Sequence, residues 1–418
     1  MIKQNHIERE HPSGLKIISE NIPYIYSVSF GLFFKQGSRY DPPELQGISH
    51  LIEHMLFKGT RNKSSKDILF FLEEKGGISD GFTGKEVSGI YIRAPMHSYK
   101  ELAILLKEII EEPSFDEKEL EKEKMVVLSE MHTSKENPEE RIVDLLFESV
   151  FGNDPLGKPI IGEKNTILKI SKNDLIDFYK KNYTIENTIY IIVGRIEDDF
   201  YPEIRIGSGS VKTPLVNIPE SKPLMEERKD LTQIYVALGA IAPGINSEEK
   251  YALSLAATAL GGGMSSRLFQ KMREEKALVY SVSSFYNPFE DTGIIGIQFV
   301  VDVNKVEESF LVLKKELEKI KREGFKEKEV EISKNLVKSS LILGMENSYS
   351  RMIRMANWKL LTGEIPKIEE IIKNYESKSP EEVSFIFNKF FNSKKKGLAA
   401  VGAIEEKVFE KIKEGGVI

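Results

Sequence analysis

The chain has no cysteine, which excludes disulfides, thiolate metal ligands and cysteine nucleophiles together. It has one tryptophan and only six histidines in 418 residues, so any clustering of histidine is informative. No apolar run approaches the roughly 18 residues that a membrane span needs. The opening MIKQNHIEREHPSGLK carries no apolar stretch of signal-peptide length. Neither sign of charge dominates: 59 basic residues stand against 65 acidic ones, for a formal net charge of −6. No basic block stands apart from acidic neighbours, so neither nucleic acid nor a membrane is an expected partner, and the expected location is the cytoplasm. At 40% hydrophobic residues a chain of this length outgrows one small core, and two or three domains are expected.

Two stretches show how those domains arise. SKNDLIDFYKKNYTIENTIYIIVGRIED, starting at Ser171, aligns without a gap on SPEEVSFIFNKFFNSKKKGLAAVGAIEE, starting at Ser379. The serines coincide, then an amphipathic helix, then a β-run ending in Val193-Gly194 or Val401-Gly402. EEPSFDEKELEKEKMVVLSE aligns on KREGFKEKEVEISKNLVKSS at nearly the same offset, with Phe115 over Phe325. A weaker pairing sets ISHLIEHML (48–56) over LSLAATALG (253–261). Three segments in one order at nearly the same offset, about half the chain, indicate a duplicated domain. The expected organisation is residues 1–206, a Gly/Ser/Pro-rich linker at 207–223, and residues 224–418. Within each half, β-runs such as YSVSFGLFF and VSGIYIRAP mix with helical patterns such as SKDILFFLEEK and SYKELAILLKEII. The expected class is α+β: two homologous domains in tandem, each a largely antiparallel sheet packed with helices.

Against this background ISHLIEHMLFKGT stands out. His50 and His54 are four residues apart on a helical pattern, and Glu53 lies beside them. Their counterparts in the second copy are Leu255, Ala259 and Thr258, so packing alone does not demand histidine there. Residues at i and i+4 share a helix face, and two imidazoles so placed can hold one metal ion. Zinc takes histidine nitrogens at about 2.0–2.1 Å, and catalytic sites use three protein ligands plus water. Glu53 shares the face and can take a proton from the bound water, then deliver it to a leaving amine. Chance would supply roughly 0.01 such H-x-x-E-H matches in a chain of this composition. The bland alternative is a partly exposed helix with two hydrogen-bonded histidines. A third ligand is sought in EKEKMVVLSEM, where Glu123 and Glu130 are two turns apart on one face. Glu130 aligns with Ser340, so its ionisable group is lost in the second copy together with those of the histidine helix.

These residues resemble the pitrilysin/insulinase family of inverted-motif zinc peptidases, most closely the bacterial branch akin to the mitochondrial processing peptidase subunits. The resemblance covers nearly the whole chain, through GSRYDPPELQGISHLIEHMLFKGT, GGISDGFTGKE, EKEKMVVLSEM and LGGGMSSRLFQKMREEKALVYSVSS. It implies one zinc ion per chain, bound by His50, His54 and Glu130, with Glu53 as general base and Glu123 orienting a histidine ligand. It further implies that Arg273 and Tyr280 contact the substrate carbonyl, where a guanidinium and a phenol can stabilise an oxyanion. By themselves these two read as a surface charge and a half-buried aromatic. The segment Asp80, Gly81, Phe82 and Thr83 matches the strand that takes peptide backbone by β-augmentation. Asp80-Gly81 replaces the family's usual Asn-Ala. An aspartate cannot donate an amide hydrogen bond and would set negative charge beside the metal, while glycine weakens a strand interior.

The implied activity is hydrolysis of peptides or unfolded polypeptide segments inside a closed chamber. Larger relatives enclose that chamber with four such domains, whereas this chain has two. The expectation is therefore a homodimer in which Arg273 and Tyr280 of one protomer complete the partner's zinc site. A non-catalytic scaffold or peptide-binding subunit of the same fold is the alternative reading. The Gly261-Gly262-Gly263 run lacks the Lys-Ser/Thr of a phosphate loop. His6, His11, His97 and His132 are read as surface or capping residues.

Overall fold

The computed structural model describes residues 5–197, 200–217, 220–393 and 395–414. Two sheets organise the chain. The first contains β1 (His6–Glu10), β2 (Lys16–Asn21), β3 (Ser27–Phe34), β4 (Ile78–Thr83), β5 (Ser88–Pro95) and β6 (Thr188–Gly194), in the order β1-β2-β6-β3-β5-β4. The second contains β7 (Leu224–Glu227), β8 (Gln233–Pro243), β9 (Val279–Pro288), β10 (Thr292–Asp302) and β11 (Lys396–Gly402), in the order β7-β11-β8-β10-β9. Apart from β1 the two orders are the same. In each, one pair is parallel, β2 with β6 and β7 with β11, and the other pairs are antiparallel. The α+β duplication expected from the aligned segments is thus present as repeated topology.

Six of the helices cover these sheets or carry the candidate site: α1 (Ile48–Leu56), α2 (Glu117–Glu136), α3 (Pro138–Phe151), α4 (Glu249–Gly261), α5 (Glu327–Gly344) and α6 (Ser348–Thr362). Side chains alternate across a strand, so each sheet offers two faces to cover. On one face of the first sheet, Phe30, Leu32, Ile90, Ile92 and Ile192 pack with Ile48, Leu51, Ile52 and Met55 of α1, all at most 2% exposed. On the other face Ile18, Phe33, Tyr91, Ile189 and Ile191 pack with Met352, Met355 and Ala356 of α6. That second face explains why β3 is buried almost end to end instead of alternating.

Two compact units emerge: residues 1–132, 159–215 and 343–366 form one, and 133–158, 216–342 and 367–418 form the other. They differ from a simple cut in the 207–223 segment by one helix each. α6 belongs to the first sheet, while α3 packs on the second through Ile142, Leu146 and Val150 against Ala237, Ala399 and Val401. A buried ion pair fixes α6 in place, with Arg351 Nη1 donating to Glu20 Oε1 at 2.6 Å and both residues at most 5% exposed. Removing one partner of such a pair leaves a buried charge uncompensated, a loss of about 3–5 kcal/mol. In the second unit Arg141 of α3 donates to Glu226 at 2.7 Å. Among the described residues no helix is long and apolar enough to cross a membrane.

Candidate metal centre and active site

The site is built on α1, and a buried polar network fixes where that helix begins. Gly47, at φ +90°, is the N-cap, a conformation that L side chains rarely adopt. Its N–H donates to Asp41 Oδ2 at 2.9 Å, and the Ser49 hydroxyl donates to Asp41 Oδ1 at 2.5 Å. Gln36 Nε2 in turn donates to Ser49 Oγ at 3.1 Å. Burial pushes the Asp41 carboxyl up to about 7, against the lowering effect of these hydrogen bonds. With its apolar flank on the sheet, α1 turns His50, Glu53 and His54 the other way.

α2 supplies the remaining donors. Its Leu120, Val127 and Met131 are buried, and Glu123 lies in the same row at 4% exposure. Glu123 Oε2 is 3.1 Å from His54 Nδ1. A carboxylate oxygen accepts, so His54 Nδ1 carries a hydrogen, and in the neutral ring the lone pair is then on Nε2. That Nε2 stands 3.4 Å from Glu130 Oε2. The His50 and His54 rings are 4.7 Å apart. One donor atom from each of His50, His54 and Glu130 lies within 4.8 Å of the others.

The donor set fits a zinc ion. Ligands at zinc bond lengths lie roughly 3.4 Å apart, and Glu130, with its side chain 45% exposed, has the rotamer freedom to close the remaining gap. His50 Nδ1 is buried with no hydrogen-bond partner. Burial, with the neighbouring His54 ring adding to it, lowers His50 to about 4, so its imidazole is neutral at neutral pH and free to ligate.

Glu53 sits beside the free edge of the first sheet. Burial raises its carboxyl above the usual range, opposed by the Thr83 hydroxyl, which donates to Glu53 Oε2 at 2.5 Å. Gly81 and Thr83 of β4 therefore face α1, whereas Asp80 and Phe82, by alternation, face α6. Asp80 thus points away from the histidines, while its negative charge still reaches Glu53 and adds to the raising of that carboxyl. Asp80 Oδ2 accepts from Tyr91 Oη at 3.0 Å on the opposite face of the sheet, and Asp80 Oδ1 accepts the Gly81 N–H at 2.9 Å. Among the described residues β4 pairs only with β5, so no strand lies along its outer edge.

Arg273 and Tyr280 belong to the second unit, while the histidine cluster belongs to the first. Arg273 lies in a π-helical segment, Phe269–Glu275, with its guanidinium 4.9 Å from the Phe269 ring centroid. Tyr280 is the second residue of β9, is 52% exposed, and donates to Asp302 Oδ1 at 3.1 Å. Between them Ala277 has φ +48°. π-turns and left-handed non-glycine residues gather at functional sites, and periodicity alone reveals neither. Sequence reasoning also missed Asp41 and Ser49, whose signal would have been a buried acid just ahead of a helix start. Lys58 was missed as well; its ammonium is 2.7 Å from Glu123 Oε1.

Comparison with known proteins identifies a family. The family model for insulinase (peptidase family M16) matches residues 16–164, and that for the peptidase M16 inactive domain matches residues 169–337. The chain is 33% identical to the uncharacterized zinc protease YmxG of Bacillus subtilis, over 91% of this chain and 94% of that protein. It is 32% identical to an uncharacterized zinc protease of Rickettsia felis, over 94% and 96% of the two chains. Among solved structures, a protease from Helicobacter pylori superposes with a TM-score of 0.88 at 19% identity, covering 96% of this chain and 99% of that one. A peptidase M16 inactive domain from Pseudomonas fluorescens gives a TM-score of 0.87 at 19% identity, with 96% and 99% covered.

Proposed function

The chain belongs to the pitrilysin/insulinase (M16) family of zinc peptidases, and from that premise we propose that it is an active zinc-dependent endopeptidase cleaving peptides and unfolded polypeptide segments. The observation that carries this reading is the convergence of His50, His54 and Glu130 donor atoms within 4.8 Å, with Glu53 on the same helix. One zinc ion per chain, held by those three residues, would polarise water and the scissile carbonyl. Glu53 takes the proton of the attacking water and passes it to the nitrogen of the leaving amine. Burial raises its carboxyl above the usual range, which makes it a stronger proton acceptor. The Thr83 hydroxyl keeps one Glu53 oxygen oriented. A peptide added along the open edge of β4 gains main-chain hydrogen bonds that do not depend on its side chains, which fits a broad substrate class. Arg273 and Tyr280, supplied by a second copy in a homodimeric, closed chamber, stabilise the oxyanion.

Cleavage of an unstructured, internally quenched peptide tests the reading. Activity should be abolished by a zinc chelator, restored by zinc, and absent in Glu53→Gln that still binds zinc. A wild-type protein that binds zinc but cleaves no peptide would overturn it in favour of a scaffold or peptide-binding subunit.

A further inference from the structure

Glu123 is a buried carboxylate with two partners. Its Oε2 meets His54 Nδ1 at 3.1 Å, and its Oε1 meets Lys58 Nζ at 2.7 Å. The Glu123 side chain is 6% exposed and that of Lys58 is 31% exposed, so the ammonium lies where solvent gives way to the interior. A series of polar contacts thus runs from Lys58 through Glu123 and His54 to Glu130, whose Oε2 is 3.4 Å from His54 Nε2. Lys58 follows α1 directly, one residue past the C-cap Phe57, and its own N–H donates to Met55 O at 3.1 Å. Its backbone is therefore anchored to the helix that carries both histidines.

The second copy shows what the scaffold needs without this series. From Ala252 to Ser266, which covers most of α4 and the segment after it, no charged residue occurs. The α5 residue aligned with Glu123 is Ser333, which is 1% exposed and returns its hydroxyl to Glu329 O at 2.8 Å on its own helix. Packing at that position is satisfied by a small residue bonded locally. A buried carboxylate needs compensation to stay there, and Lys58 is its cationic partner.

Resting on the zinc-peptidase reading of this site, we propose that Lys58 is a positioning residue for the metal centre: its ammonium anchors one oxygen of Glu123 so that the other holds His54 Nδ1–H and aims His54 Nε2 at the metal. Partners that orient a ligating histidine in this way typically change metal affinity about 10- to 100-fold when removed. The sign of the effect separates positioning from bulk electrostatics. Lys58 is a cation near a cation site, so its charge alone opposes zinc, and removing it would tighten binding. Positioning predicts the reverse.

The test measures the zinc dissociation constant of the full-length protein by competition with a chromophoric chelator. Lys58→Met should weaken zinc binding about 10- to 100-fold, and Lys58→Arg should recover most of the loss. Glu123→Gln should weaken it comparably, and adding Lys58→Met to Glu123→Gln should change it little, since Lys58 acts through Glu123. Thermal unfolding of the zinc-free forms controls for folding: equal midpoints for wild type and Lys58→Met assign the loss to the site. If the midpoints differ, the Lys58→Arg rescue and the double-mutant comparison carry the test. Unchanged or tighter zinc binding in Lys58→Met, or additive losses in the double mutant, overturns the proposal. Wild-type protein that binds no zinc overturns the functional reading itself.

Discussion

Gly81 lies directly against Glu53: a Cβ built on Gly81 would meet Glu53 Cγ at 3.0 Å and Oε1 at 3.3 Å. The glycine on the edge strand therefore sets the space in which Glu53, the proposed general base, moves. Gly81→Ala sets two effects against each other. The strand backbone gains about 0.5–1 kcal/mol from losing a glycine, while crowding in a packed site costs about 1–3 kcal/mol. The neighbour is a side chain that can turn aside, so net stability should change little. Turning aside, however, pulls Glu53 against its bond to Thr83. The expected result is a lowered kcat with zinc content and melting temperature retained. An unchanged kcat would mean that the base has more room than this contact implies.

Asp80 is the companion departure, and its placement separates metal from substrate. Its carboxylate is held by Tyr91 on the α6 side of the sheet and reaches the site only through its charge on Glu53, so Asp80→Asn should change zinc affinity little. Asparagine keeps an acceptor for the Tyr91 hydroxyl, and the fold should tolerate it. Any effect belongs in KM, through the peptide residue paired beside it. Zinc titration of the variant decides the matter, and a tenfold weaker metal site would show that the two faces are coupled.

Asp41 gives a pH signature in stability. Its folded value, raised by burial to about 7, lies above the roughly 3.9 of an unfolded aspartate. Between those values the folded chain keeps a proton that the unfolded chain has released. The contribution is therefore full below about pH 4 and is lost as pH rises through about 7. Asp41→Asn keeps an oxygen for the Gly47 N–H and offers its amide to Ser49 Oγ. Urea unfolding at pH 5 and pH 8 should show wild type losing more stability than Asp41→Asn across the interval. Parallel losses would remove Asp41 as the titrating group.

The candidate metal cluster was legible because its residue types stand at metal-ligand spacing and are absent from the second copy. His50, His54 and Glu130 each lose their ionisable group in Leu255, Ala259 and Ser340, and subtraction between repeats exposes such a pattern. The exchange of α3 and α6 between sheets was not legible. Both helices are amphipathic in a similar way, and periodicity says which flank is buried without saying against which sheet. Only contacts far apart in the chain, such as Glu20 with Arg351, carry that information. Lys58 was hidden for a related reason: a lysine after a helix reads as solvated until its partner on a distant helix is known.

Ala277 carries the clearest backbone strain near Arg273. Its φ of +48° costs an L residue about 1–2 kcal/mol, and its carbonyl is held by Lys305 Nζ at 2.9 Å. Glycine would adopt the same conformation freely while adding freedom to the unfolded chain. Ala277→Gly should therefore be neutral to stabilising by about 1 kcal/mol. If the strained turn serves to aim Arg273 and Tyr280, kcat should fall even as stability rises. Both are read from one preparation, by thermal unfolding and peptide cleavage. A gain in both would mark the strain as incidental to function.

The proposed sharing of the site between copies makes a quantitative prediction. Glu53→Gln lacks the base and Arg273→Ala lacks the oxyanion contact, so each protein alone should be inactive. Mixed in equal amounts with free subunit exchange, half of the dimers combine one of each. In such a dimer the Arg273→Ala protomer still has Glu53 and receives Arg273 from its partner, which rebuilds one of the two sites. The mixture should therefore recover about a quarter of wild-type activity. If each protomer instead relied on its own Arg273, no mixed dimer would contain a complete site and activity would stay at zero. Mass spectrometry of isotope-labelled subunits establishes that exchange has occurred. Exchange without recovery places Arg273 in the same chain as the zinc ligands it serves.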